Sequence, residues 1–258
     1  MSTETAEPLR LLVLGGTAEA RHLCERLVAM PSPRPLHLTL SLAGVTSRPQ
    51  VPDVRLRRGG FGGATGLENY LREQRIDLLI DATHPFAAQM TANAARATAT
   101  TGIPCLKLLR PAWAPQPGDR WTRVPTLQDA AEALPAAAIA FLALGQRHLS
   151  PFAGHSARLV VRSIEAPPAD LLPHATWLTG SAGAISAETD LLRRYGITHL
   201  VTRNSGGSAG HAKLDAARHL GLPVIMIDRP PLPDMLRHPP VPDVETTIRA
   251  IRAYSGPE

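Results

Sequence analysis

Ile76-Asp77-Leu78-Leu79-Ile80-Asp81-Ala82-Thr83-His84-Pro85-Phe86-Ala87 is the stretch from which the rest of the chain is read. Its opening residues form a short apolar run, the pattern of a strand buried on both faces of a parallel sheet. Ala88 to Thr100 is rich in alanine, lacks proline and reads as a helix. A polar turn, Asp81-Ala82-Thr83-His84-Pro85, thus stands at the carboxyl end of a core strand and feeds a helix. In an open α/β sheet that position is the crevice where ligands bind. A plainer reading has Thr83 capping the helix and Pro85 in its first turn. Capping alone, however, requires no acid, histidine and aromatic ring together.

Towards the amino terminus, Leu9 to Leu14 is another buried strand, and Gly15-Gly16-Thr17 turns directly into a helix from about Ala18 to Met30. Strand, glycine turn and helix aim backbone N–H groups and a helix dipole at a phosphate. The spacing is not GxGxxG, so a tight structural turn is the competing reading. Glu19 and Arg21 read as a solvated face. Leu36 to Leu42 is the next strand. An NAD-binding domain usually ends it with an acid that holds the ribose. Here the chain reads Ala43-Gly44-Val45-Thr46-Ser47-Arg48-Pro49. Ser47 and Arg48 suit a ribose phosphate, because a guanidinium offers forked donors to a dianion, and they favour NADPH over NADH. A solvated loop arginine is the alternative. Arg55 to Arg58 precede Gly59-Gly60-Phe61-Gly62-Gly63, with a helix over Leu67 to Gln74. Four glycines in five residues let a backbone lie against a ligand, whereas flexible linkers usually carry serine or charge. Gly102 to Leu108 is the fifth strand.

Between Arg110 and Trp121 come three prolines, a glycine and no apolar period, which marks a connection between two bodies. The second half repeats the alternation. Ile139–Leu144, Arg158–Arg162, Ala175–Leu178, Thr198–Val201 and Pro223–Ile227 read as strands. Helices are expected near Leu127–Leu134, Ser186–Tyr195, Ala212–Leu220 and Val244–Ala253. The fold expected is α/β, with two doubly wound parallel-sheet domains. Residues 9–109 form the first, 110–124 connect, and 125–254 form the second. Thr202-Arg203-Asn204-Ser205-Gly206-Gly207 again follows a strand, and Lys213 lies in the helix beyond it. Small polar residues and glycines before a helix can receive an anion. An ordinary glycine-rich helix start is the alternative, with Lys213 pairing a surface acid.

A chain of 258 residues that is 44% hydrophobic can bury a substantial core. Lys and Arg number 27 against 22 Asp and Glu, a formal charge of +5, which suits a small polyanion. Aromatic residues are 4% and the arginines are scattered, which argues against a base-stacking nucleic-acid binder. Cys24 and Cys105 read as small buried apolar residues rather than a disulfide. No CxxC or HExxH occurs, so no metal site is expected. Met1 to Pro8 lacks the order of a secretory signal, and the longest apolar run, Ala136 to Leu144, is too short to span a bilayer. A cytoplasmic protein without membrane partners is expected.

Asp81-Ala82-Thr83-His84-Pro85-Phe86-Ala87, Gly59-Gly60-Phe61-Gly62-Gly63 and Gly15-Gly16-Thr17-Ala18-Glu19-Ala20, in this order, resemble the precorrin-6A reductase family. The likeness runs from about Leu9 to Pro233. It implies NADPH-dependent reduction of one double bond of a corrin-ring precursor in cobalamin synthesis. It further implies two Rossmann-like domains facing each other across a cleft, with a strand exchanged between them. On this resemblance Gly15, Gly16 and Thr17 hold the pyrophosphate. Gly60, Phe61 and Gly62 lie beside the nicotinamide, and Asp81, Thr83 and His84 form the catalytic surroundings. Arg110, Trp113, Asn204, Ser205, Gly206, Gly207 and Lys213 meet the polycarboxylate tetrapyrrole, although Trp113 and Trp121 would serve equally to pack the domain junction, and hand-over to other cobalamin-pathway enzymes is implied. His84 is a candidate proton donor because histidine titrates near neutrality. The chain departs from the family pattern at Gly180-Ser181-Ala182-Gly183, where Arg-Gly-Pro is expected, and at Gly145-Gln146-Arg147, where the arginine comes one position late.

Two rivals stand beside this reading. A short-chain reductase requires a tyrosine four residues before a lysine, and Tyr70, Tyr195 and Tyr254 all lack one. A nucleotide-sensing module without turnover would need the first glycine turn but not the second glycine motif.

Overall fold

Alternate residues of β1 (Leu9–Leu14) go to opposite sides of a sheet, as the two-residue period of a strand requires. Leu9, Leu11 and Val13 join one core cluster, and Leu12 and Leu14 join another. The computed structural model describes residues 7–32, 34–43, 54–164, 171–208 and 210–254. The chain divides into a first unit, residues 1–110 with 231–258, and a second, residues 111–230.

In the first unit β1 leads to α1 (Ala18–Ala29), β2 (Leu36–Leu42), β3 (Arg55–Arg58), α2 (Gly63–Glu73), β4 (Leu78–Asp81), α3 (Ala88–Thr101) and β5 (Cys105–Lys107). The strands run parallel in the order β3-β2-β1-β4-β5. Leu23 and Leu27 of α1 cover one face, and Leu67 of α2 with Ala94 and Ala97 of α3 cover the other. Strand order reverses between β1 and β4, so the turns after these two strands flank the switch point at which such sheets bind ligands.

The second unit contains β6 (Arg120–Val124), α4 (Leu127–Glu132), β7 (Ile139–Ala143), β8 (Arg158–Ser163), β9 (Thr176–Thr179), α5 (Ile185–Arg194), β10 (His199–Arg203), α6 (Ala212–His219) and β11 (Pro223–Ile227). These strands are also parallel, in the order β6-β11-β10-β7-β8-β9. The expected α/β class with two doubly wound parallel sheets is what the chain adopts. Cys24 and Cys105 are buried free thiols, and burial pushes both up to about 12, where they are inert.

Two expected boundaries need correction. α7 (Val244–Tyr254) falls within the expected second domain, 125–254, yet Val244, Ile248 and Ile251 complete the first unit's core beside α1. Arg26 of α1 forms an ion pair with Glu245. The return is secured at Val241, whose N–H donates to the Lys107 carbonyl at 2.8 Å and whose carbonyl accepts from Leu109 N at 2.8 Å. An amphipathic helix shows that one face is buried but not which sheet buries it. The supposed connection also contains β6, an edge strand paired with β11. Its burial is slight, as befits an edge, so no apolar run advertises it.

Candidate active site

Asp81 ends β4 and faces Lys107 of β5 across the parallel register. Both are essentially removed from water, at 0% and 1% exposure. Asp81 Oδ2 lies 3.0 Å from Lys107 Nζ and accepts from Thr91 Oγ1 at 2.7 Å. Asp81 Oδ1 accepts from Thr83 Oγ1 at 2.6 Å and from Thr83 N at 3.0 Å. Lys107 Nζ donates in turn to the hydroxyls of Thr83 (3.3 Å) and Thr91 (3.2 Å) and to the Thr83 carbonyl (3.4 Å). Each carboxylate oxygen and each hydroxyl is engaged, as burial of charge demands. The geometry makes Asp81 a fixture of the turn. Thr83 likewise does not cap α3, whose N-cap is Ala87.

His84 follows in the turn. Its Nδ1 accepts from Phe86 N at 3.2 Å, which places the hydrogen of the neutral ring on Nε2.

The glycine turn is tied directly to this one. Thr17 caps α1, its Oγ1 accepting from Ala20 N at 3.1 Å and donating to the Ala82 carbonyl at 2.8 Å. A Cβ at Gly15 would stand 2.6 Å from Leu40 Cδ1, so that side chain would have to shift to admit it. Gly16 differs: its φ is +106°, and the place of its missing Cβ has no atom within 4 Å. A phosphate can approach that bare backbone, and a side chain would fill the space. Glu19, in the first turn of α1, would repel an anion, but Arg110 Nη1 donates to Glu19 Oε2 at 2.7 Å and offsets the charge.

After β3 the glycine loop is braced by Arg57. Its guanidinium donates to the carbonyls of Gly59 (2.6 Å) and Gly60 (2.9 Å) and stacks 3.6 Å from the Phe61 ring centroid. Phe61 also meets Tyr70 edge-to-face at 5.3 Å. Gly62, at φ +79°, is the left-handed N-cap of α2. Ser47 and Arg48 lie outside the described residues.

The second unit gathers residues far apart in sequence. Asn204 Oδ1 accepts from Trp113 N at 2.8 Å, and its Nδ2 donates to the Trp113 carbonyl at 3.0 Å. The Trp113 indole donates to the Gly207 carbonyl at 2.8 Å. Arg229 donates to the carbonyls of Asn204, Ser205 and Pro111 at 2.9, 3.1 and 3.2 Å. Gly206, at φ +69°, has no room for a Cβ, which would lie 2.1 Å from the Pro111 carbonyl oxygen. Asn204 and Trp113 therefore hold each other, and their polar groups are spent on the loop. Lys213 is 7% exposed, sits 4.8 Å from a Trp113 ring centroid and donates to the Gly210 carbonyl at 2.6 Å. No carboxylate among the described residues reaches it. Nearby, Arg162 pairs with Glu188 in a bidentate bridge of 2.5 and 3.0 Å, and Gly183 N donates to the same carboxylate at 2.8 Å.

Burial pushes the Lys213 ammonium down to about 8; Arg162 and Arg203 act in the same direction, and Glu188 opposes them. Between about pH 8 and the ordinary lysine value the unfolded chain holds a proton that the folded chain has lost. This group's contribution to stability therefore rises with pH across that window. Urea unfolding should show wild type gaining roughly 2 kcal/mol on Lys213→Met between about pH 8 and pH 9.5. Parallel pH dependences of the two proteins would count against a depressed Lys213.

Lys107, Thr91, Arg57 and Arg229 escaped the sequence reading. Only Lys107 left a signal, as a lone charge within an apolar strand.

A profile of the family described as precorrin-6x reductase CbiJ/CobK matches residues 10–252. The chain belongs to this family. A precorrin-6A reductase from Rhodococcus erythropolis is 46% identical over 227 residues, 87% of this chain and 90% of the relative. A cobalt-precorrin-6A reductase from Methanothermobacter thermautotrophicus is 31% identical, over 89% of this chain and 79% of the relative. A solved structure described as CobK precorrin-6A reductase superposes with a TM-score of 0.87 at 42% identity, covering 95% of this chain and 97% of that one. Among the described residues no helix is long and apolar enough to cross a membrane, and no cluster of three or more His, Cys, Asp or Glu could hold a metal ion.

Proposed function

We infer that the chain reduces one double bond of precorrin-6A in cobalamin biosynthesis, with NADPH as the reductant. Family membership supplies the reaction. The observation that carries the cofactor reading is the Thr17–Ala82 bond, which draws the glycine turn and the Thr83–His84 turn to one switch point. Gly15, Gly16, Thr17 and the first turn of α1 would hold the pyrophosphate, and the bare backbone of Gly16 fits that group. Ser47 and Arg48 would take the ribose phosphate, and the Gly60–Gly62 loop would flank the nicotinamide. When bound, NADPH supplies a hydride to an electron-poor ring carbon, and a proton completes the neighbouring carbon. Asp81 and Thr83 set the turn. His84, held in the turn by the bond from Phe86 N to its Nδ1, is the candidate proton donor.

In the second unit, Lys213 and the Ser205–Gly207 backbone would receive substrate carboxylates. Arg110 balances Glu19, while Trp113 and Asn204 shape the loop. The higher identity to a relative named for the metal-free precorrin favours that substrate over its cobalt form. A cytoplasmic setting and hand-over of the product to later pathway enzymes belong to the same reading.

Titration with NADPH and NADH, followed by nucleotide fluorescence, tests the cofactor assignment. NADPH should bind at least about tenfold more tightly, and Arg48→Ala should erase the difference, since a charge-assisted bond of this kind contributes roughly 1.5–3 kcal/mol. Binding of neither nucleotide would overturn the mechanism. An unchanged preference in Arg48→Ala would overturn the role of Arg48.

A further inference from the structure

A buried ion pair is a poor device for stability alone, because a well-packed apolar pair of similar volume often serves as well. The Asp81–Lys107 pair does something an apolar pair could not. Ala82 N donates to the Leu14 carbonyl at 3.0 Å, and the Ala82 carbonyl accepts from Thr17. The pair completes the set by taking the Thr83 N–H and hydroxyl on Asp81 and the Thr83 carbonyl on Lys107. Every polar backbone group of Ala82 and Thr83 is thereby fixed at the switch point, one residue before His84.

We propose that Lys107 is a positioning residue for the reduction, acting through Asp81 and Thr83 on the turn that presents His84. This rests on the reading that the nicotinamide sits at that turn. Thr91 belongs to the same device, because its hydroxyl bridges Asp81 Oδ2 and Lys107 Nζ. Lys107 itself is out of reach of any ligand at 1% exposure. Its effect is therefore on geometry, and hydride transfer is sensitive to displacements well below an ångström.

The test uses the full chain and the double variant D81N/K107M, which removes both charges at nearly constant volume. Thermal unfolding, NADPH titration and steady-state kinetics with precorrin-6A are measured for it and for wild type. A melting temperature lowered less than by Asp81→Ala, an NADPH affinity close to wild type, and kcat lowered about ten- to hundredfold at little-changed KM are the expected result. A folded double variant with wild-type kcat overturns the proposal and leaves the pair a structural element. If the double variant does not fold, Thr91→Val decides, since it keeps the shape of the side chain and removes one hydroxyl. It should lower kcat about threefold or more at unchanged KM, and an unchanged kcat overturns the proposal. Wild-type protein that binds no NADPH and reduces nothing refutes the functional reading itself, and the proposal with it, before any variant is made.

Discussion

Asp81→Ala is expected to unfold at a melting temperature on the order of 10 °C below wild type, whatever it does to activity. The substitution strands Lys107, 1% exposed, with the hydroxyls of Thr83 and Thr91 and no opposite charge. Removing one partner of a buried pair costs about 3–5 kcal/mol, because the remaining charge stays desolvated without compensation. That is a large share of the roughly 5–15 kcal/mol that holds a domain folded. Thr83 also loses the acceptor of both its N–H and its hydroxyl, so the turn before His84 loosens as the unit weakens. Calorimetry alongside the reductase assay separates two roles. An unchanged melting temperature would count against the ion pair as a source of stability, whatever remains of the catalytic role that the sequence suggested for Asp81.

That suggestion shows what a sequence can and cannot convey. Asp81-Ala82-Thr83-His84 was visible as a polar turn closing an apolar strand, and its location at the ligand end of a parallel sheet followed from alternation alone. Its function as a ring did not follow. Thr91 lies ten residues on in a helix, and Lys107 in a strand that is neighbour to β4 only in the folded sheet. The lone charge in Cys105-Leu106-Lys107-Leu108 was the available signal, since a buried lysine must find an acid and the adjacent strand ends in one. Arg57 and Arg229 left no such trace, because they brace main-chain carbonyls, and any residue supplies a carbonyl. The same limit explains α7. Val244, Ile248 and Ile251 announce an apolar stripe at helical spacing, but the stripe would suit either sheet. The glycines were the most legible residues, because the bare Gly16 and the crowded Gly206 both follow from backbone requirements that side chains cannot meet.

Asn204 presents the second large effect. Its side-chain amide meets the Trp113 backbone as a neighbouring strand would, accepting from the N–H and donating to the carbonyl. Both Trp113 groups are buried, so Asn204→Ala leaves a donor and an acceptor without partners at about 1–3 kcal/mol each. A loss of roughly 2–5 kcal/mol in urea unfolding is expected, concentrated in the second unit. Trp113 also forms the wall over which the Lys213 ammonium sits and donates its indole hydrogen to Gly207, so the loop should loosen from both ends. Gly206→Ala attacks the same strap differently. It places a methyl group 2.1 Å from the Pro111 carbonyl oxygen in a backbone conformation that disfavours a side chain. Because both substitutions detach residues 111–113 from the loop after β10, their costs should fall short of additivity when combined. Additive costs would mean that the amide and the glycine act separately. A weaker KM for the substrate at unaltered stability would instead make Asn204 a substrate ligand, which its two short bonds to Trp113 oppose.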